Sequence, residues 1–65
     1  MAATKHLTTA QLADRLGYSV RTVEDWRTDG YGPPWLPGRG GRGVRYREAD
    51  IEAWEESRLV RPVNA

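Results

Sequence analysis

Leu12-Ala13-Asp14-Arg15-Leu16-Gly17-Tyr18-Ser19-Val20-Arg21-Thr22-Val23 is the stretch that decides the fold. Gly17 stands where a left-handed residue ends a helix. Ser19, two positions on, is a residue type whose hydroxyl caps the start of the next one. Only Gly17 and Tyr18 lie between the end of the first helix and that cap. A connection this short makes two helices cross steeply instead of lying antiparallel, which is the helix-turn-helix unit. Tyr18 is expected to plug the turn.

Upstream, Thr8-Thr9-Ala10-Gln11 reads as a capping box. Thr8 caps the amide three residues on, Gln11 reaches back, and Leu7 takes the apolar staple position before the cap. The spacing predicts a helix over Thr9–Leu16 with Leu12, Ala13 and Leu16 on one face. Residues 1–6 read as a loose leader. Downstream, a second helix is expected over Val20–Thr28, stopped by Gly30. Val23 and Trp26 share its inner face; Arg21, Thr22, Glu24, Asp25 and Thr28 fall outside. Val20 lies at the boundary and can meet a core neighbour or a thymine methyl.

Tyr31-Gly32-Pro33-Pro34 is irregular, since two prolines favour an extended crossing. Trp35-Leu36 and Val44-Arg45-Tyr46 read as the strands of a hairpin joined through Gly38–Gly43. An isolated hairpin is barely stable in water, so this one has to lean on the helices. The final helix is expected over Glu48–Arg58, with acids in its first turn and Arg58 in its last, both suited to the helix dipole. Ile51 and Trp54, with Ala53 and the Arg58 stem, form its packing face; Glu52, Glu55 and Glu56 point to water. Residues 59–65 read as a tail. The expected architecture is mainly α with a small β-hairpin, in one domain over residues 7–58.

The chain has 65 residues, no cysteine, one histidine, three tryptophans and no phenylalanine. A chain of this size buries only about 60% of the surface exposed when unfolded. Disulfides and thiolate metal sites are excluded, and a single His6 builds no metal cage. Trp26, Trp35 and Trp54 are therefore the expected large core fillers. No apolar run reaches membrane length and no charged-then-apolar leader opens the chain, so a soluble cytoplasmic protein is expected. The formal net charge is only +1, but its distribution is uneven. Residues 1–47 carry eight basic and four acidic side chains, a net +4; residues 48–65 carry two and five, a net −3. Such a dipole suits a basic face turned to a polyanion with the acidic end away, and equally a solvated acidic helix that comes last.

Catalysis finds no support. There is no Ser–His–Asp or Cys–His set and no phosphate loop, and the glycine stretch lacks the Lys-Ser or Lys-Thr ending such a loop needs. No enzyme, cofactor or metal is expected. Nucleic-acid binding is the stronger reading. The second helix of a helix-turn-helix lies in the major groove with its N-terminal half at the base edges. Here that half offers Ser19, Val20, Arg21 and Thr22, with Asp25 a turn on. The Arg21 fork matches two acceptors on guanine; alternatively it meets a phosphate or pairs with Asp25. Arg39 and Arg42, freed by flanking glycines, suit entry into a narrow minor groove, or are simply solvated. Arg45 joins them on the return strand. Thr9 and Arg27 are the candidate phosphate contacts.

Leu7-Thr8-Thr9-Ala10-Gln11-Leu12-Ala13, Leu16-Gly17-Tyr18-Ser19, Arg21-Thr22-Val23 and Trp26 resemble the opening of the small winged-helix domains of phage excisionases and MerR-type regulators. Gly43-Val44-Arg45-Tyr46-Arg47 and Asp50-Ile51-Glu52-Ala53-Trp54 resemble their wing return strand and following helix. Together these cover residues 7–58. The resemblance implies a winged helix-turn-helix with the second helix in the major groove and the wing on the adjacent minor groove. It places Ser19, Arg21, Thr22 and Asp25 at recognition positions and Arg39 and Arg42 at the wing tip. The chain departs from the family in having Val20, Glu24 and Asp25 where basic or neutral residues are common. MerR-type regulators add a long dimerising helix and an effector domain, for which this chain is too short. The resemblance therefore favours an excisionase, or recombination directionality factor. Such a protein binds adjacent attachment-region sites on double-stranded DNA head to tail with further copies, bends the DNA, and directs a tyrosine integrase toward prophage excision. A small winged-helix transcriptional regulator is the alternative within the class. An adaptor that docks an integrase through the acidic helix, with little part for DNA, is the alternative outside it.

Overall fold

The computed structural model describes residues 5–39, 43–60 and 62. Its elements run β1 (His6–Thr8), α1 (Thr9–Leu16), α2 (Val20–Asp29), β2 (Arg45–Arg47) and α3 (Glu48–Arg58). Three helices and a two-stranded antiparallel sheet make a mainly helical domain of the winged helix-turn-helix type.

The local signals act as the chain requires. Thr8 Oγ1 accepts from the Gln11 amide at 3.1 Å, and Gln11 Oε1 accepts from the Thr8 amide at 2.8 Å, so the capping box at α1 is complete. Gly17 ends α1 at φ 79°, a left-handed conformation that costs glycine nothing. Its amide and that of Tyr18 both donate to the Ala13 carbonyl, at 2.8 and 2.9 Å. Ser19 Oγ accepts from the Thr22 amide at 3.1 Å and starts α2. That helix runs one residue past the expected Thr28 before Gly30 stops it at φ 74°.

The sheet differs from the expected hairpin. β2 pairs with β1, not with Trp35-Leu36, in the register His6 to Arg47, Leu7 to Tyr46 and Thr8 to Arg45. Leu36 keeps a single bridge to Arg45, with both backbone bonds made (3.1 and 2.7 Å). His6 is thus a strand residue, although the leader was expected to include it. The physical reason lies in Leu7, which is buried and so draws its own backbone alongside the strand that carries buried Tyr46. The pairing also solves a problem at α3. Arg47 makes no side-chain cap there, but the Glu48 amide donates to the Lys5 carbonyl at 2.9 Å. The residue just ahead of β1 thereby supplies a partner for an otherwise orphaned helix-start donor.

The core is Leu7, Leu12, Ala13, Val23, Val44, Tyr46 and Ile51. Tyr46 is its largest fully buried side chain. None of the three tryptophans belongs to it. Trp35 is 41% exposed, and Trp26 and Trp54 are half-buried. The latter two join Tyr18 and Tyr31 in a cluster at the edge of the core. Trp26 meets Tyr18 and Tyr31 edge-on at 5.1 and 5.2 Å between ring centres, and Trp54 at 5.8 Å. Tyr18 does not plug the turn as expected: it is 53% exposed and leans edge-on against Trp26. Tyr46 and six smaller apolar side chains fill the core, Trp26 packs against it from the side, and Trp54 joins Trp26 there through their ring contact.

Candidate nucleic-acid interface

The first turn of α2 is held rigid by its own cap. Ser19 and Thr22 share a hydroxyl–hydroxyl hydrogen bond of 2.9 Å in addition to the capping bond. Between them, Val20 and Arg21 project into solvent. Val20, read from the sequence as a boundary residue, is 41% exposed and is absent from the core. Arg21 Nε lies 3.3 Å from Asp25 Oδ1, with both side chains mostly exposed. An exposed pair of this kind contributes well under about 1 kcal/mol, so Arg21 leaves it at little cost. The pair also gives the acidic Asp25 a role on a basic face, that of orienting the guanidinium. The five recognition candidates thus share one end of one helix.

The wing candidates divide. Arg39 is exposed. Arg42 lies outside the described residues. Arg45 is exposed on β2, and its Nη1 donates to the Val44 carbonyl at 3.1 Å. Its backbone is fixed between Thr8 on one side and Leu36 on the other. Short pairing on both edges gives the base of the wing a rigid register.

Thr9 and Arg27, 18 positions apart, meet directly. Arg27 Nη1 donates to Thr9 Oγ1 at 3.0 Å and to the Tyr46 hydroxyl at 2.9 Å, and its guanidinium lies 5.7 Å from the centre of the Trp35 ring. Sequence reasoning did not find Tyr46 and Trp35 as partners of this arginine. The only hint was that tyrosine combines an apolar ring with a hydroxyl that needs a partner when buried.

The basic half of the chain is less basic than its tally. Arg15 donates to both oxygens of Glu55, at 3.0 and 2.7 Å, and lies 3.6 Å from Glu48. Glu55, expected to point to water, instead ties α3 to α1. The hydrogen bond from Arg15, opposed by partial desolvation and aided by the cation's charge, holds the Glu55 carboxyl below the usual glutamate range. The same bond raises the Arg15 pKa. Arg47 pairs with Asp50 at 2.6 Å. Among the described residues, Lys5, Arg27, Arg39, Arg45 and Arg58 make no ion pair with a carboxylate, Arg58 lying instead over the Tyr31 ring at 5.4 Å. These cations, with the lightly held Arg21, are the positive charge available to a polyanion.

Among the described residues no group of His, Asp and Glu side chains is placed to hold a metal ion, and no helix is long and apolar enough to cross a membrane. Comparison with curated proteins gives no match. The model of the helix-turn-helix domain family matches residues 7–59, from the buried residue of β1 to the residue that ends α3. With most of its length matched, and with the capped helix pair that defines the motif in place, the chain belongs to the helix-turn-helix domain family of DNA-binding proteins.

Proposed function

We propose that this protein is a phage-type excisionase: a sequence-specific architectural protein that binds adjacent sites on duplex DNA, bends it, and directs a tyrosine integrase toward excision. In this reading it acts on DNA in the cytoplasm of a bacterial host. The N-terminal turn of α2 enters the major groove, where Arg21 reads guanine, Val20 meets a thymine methyl, and Ser19, Thr22 and Asp25 hold the geometry. Arg39 and Arg42 enter the neighbouring minor groove from the wing, with Arg45 at its base. Thr9 and Arg27 take backbone phosphate. The observation that carries the reading is the exposed Arg21 on a first turn capped by Ser19, in a family that binds DNA. The excisionase assignment within that family rests on the wing-and-helix resemblance over residues 7–58.

A gel shift with DNA from the neighbourhood of the protein's own gene, in excess nonspecific competitor, tests this. The expected result is a ladder of discrete bands as adjacent sites fill. A single band would replace the excisionase with a simple regulator. No shift would leave the adaptor reading, with the acidic face of α3 as the docking surface.

A further inference from the structure

Arg27 is a cation held in place without being neutralised. It sits half-buried near the end of α2, yet among the described residues no carboxylate pairs with it. Among the described residues both of its hydrogen bonds leave from one nitrogen, Nη1, and both end on neutral hydroxyls. Nε and Nη2 donate to no acceptor among the described residues. The Tyr46 hydroxyl belongs to the largest buried side chain of the core, so the anchor itself is rigid. The guanidinium carbon lies over the Trp35 ring, 5.7 Å from its centre, within cation–π reach. Burying a cation part-way is costly unless an anion or several acceptors compensate it. Two hydroxyls and one ring face compensate only in part. The unused donors form the planar fork that matches two oxygens of a phosphate.

We propose that Arg27, Thr9, Tyr46 and Trp35 form one preset seat for a DNA backbone phosphate, in which Tyr46 and Trp35 are positioning residues that aim the Arg27 fork. This rests on the reading of the protein as a DNA binder and adds what that reading lacks, a rigid joint. α1 supplies Thr9, α2 supplies Arg27, β2 supplies Tyr46, and the approach to the wing supplies Trp35. A phosphate gripped there sets the recognition helix and the wing on the duplex together, so that neither tilts independently. Phosphate contacts carry no sequence information, and the seat therefore acts on register and affinity for any sequence.

The test is the salt dependence of binding to a short duplex of arbitrary sequence, for the native protein, R27Q, R27K and Y46F, with thermal melts alongside. R27Q is expected to lower the slope of log affinity against log salt by roughly 0.9, the share of one phosphate. R27K keeps the charge and the slope but loses the fork, and Y46F keeps the slope but frees the guanidinium. Each of these two should weaken binding about three- to tenfold with the fold intact, the scale of one ordinary hydrogen bond. A folded R27Q with the native slope overturns the seat while leaving DNA binding standing. Should R27Q not fold, native affinity in both R27K and Y46F overturns it. No duplex binding by the native protein overturns the seat and the functional reading together.

Discussion

Arg21 and Asp25 illustrate how a side chain can be held and still be free. Their ion pair is solvent-exposed at 3.3 Å, so it orients the guanidinium without retaining it. Arg21→Ala should cost about 1–3 kcal/mol of specific DNA affinity and relax discrimination at one base pair, while leaving the melting temperature near native. Binding to a panel of single-base variants of the site checks this, and an unchanged ranking would remove Arg21 from base readout. Glu55 is a different case, because Arg15 lowers its pKa in the folded state relative to the unfolded chain. The bond therefore stabilises the fold at pH above the unfolded carboxyl pKa, and the contribution is lost as pH falls through the folded value. Glu55→Gln should be less stable at neutral pH and should lose less on acidification. Urea melts at neutral and acidic pH measure both, and parallel pH profiles for the two proteins would refute the assignment. Arg21 was legible from the sequence because an i to i+4 pair on a helix is local. The Glu55 partner, 40 positions away, was not.

At the scale of elements, α1 and α2 lie where capping residues and apolar spacing put them, α3 keeps its expected span without a side-chain cap, and only the end of α2 moves, by one residue. The strands do not follow local signals in the same way. Trp35-Leu36 has the composition of a strand, but β2 takes its main partner from His6–Thr8. β1 contributes Leu7 to the core and brings the Lys5 carbonyl just ahead of it to the start of α3, whereas Leu36 is exposed and contributes one bridge. α3 likewise rests on Ile51, fully buried, more than on half-buried Trp54. Ile51→Ala should cost about 2–5 kcal/mol and bring a domain of this size close to unfolding. Trp54→Ala should cost less than Ile51→Ala, despite removing a far larger side chain. Denaturant midpoints of the two variants decide the order, and the reverse order would return Trp54 to the core.

The molecule as a whole presents a small set of uncompensated cations around a helix pair and a wing. Arg15 and Arg47 are spent on the acids of α3, so the charge asymmetry of the sequence is partly used inside the fold. Replacing Arg39 and Arg42 together with Gln should weaken binding to all sequences and lower the salt slope by roughly 1.8, with the preference among sites kept. Titrations at several salt concentrations measure it, and an unchanged slope would place the wing tip away from DNA. What the sequence determined by itself is the set of short-range features: the capping box at Thr8, the Gly17–Ser19 turn, the stop at Gly30, and hence the helix-turn-helix. Each rests on contacts within a few residues, where the chain has little choice of partner. Only the tertiary structure decided that β1 and not Trp35-Leu36 completes the sheet, that Tyr46 and not tryptophan fills the core, and that Arg27 is anchored on Tyr46 and Arg15 on Glu55. Those choices join residues far apart along the chain. They are settled by which apolar side chains can be buried together, and the hydrogen bonds and charges then take the partners that packing has brought within reach.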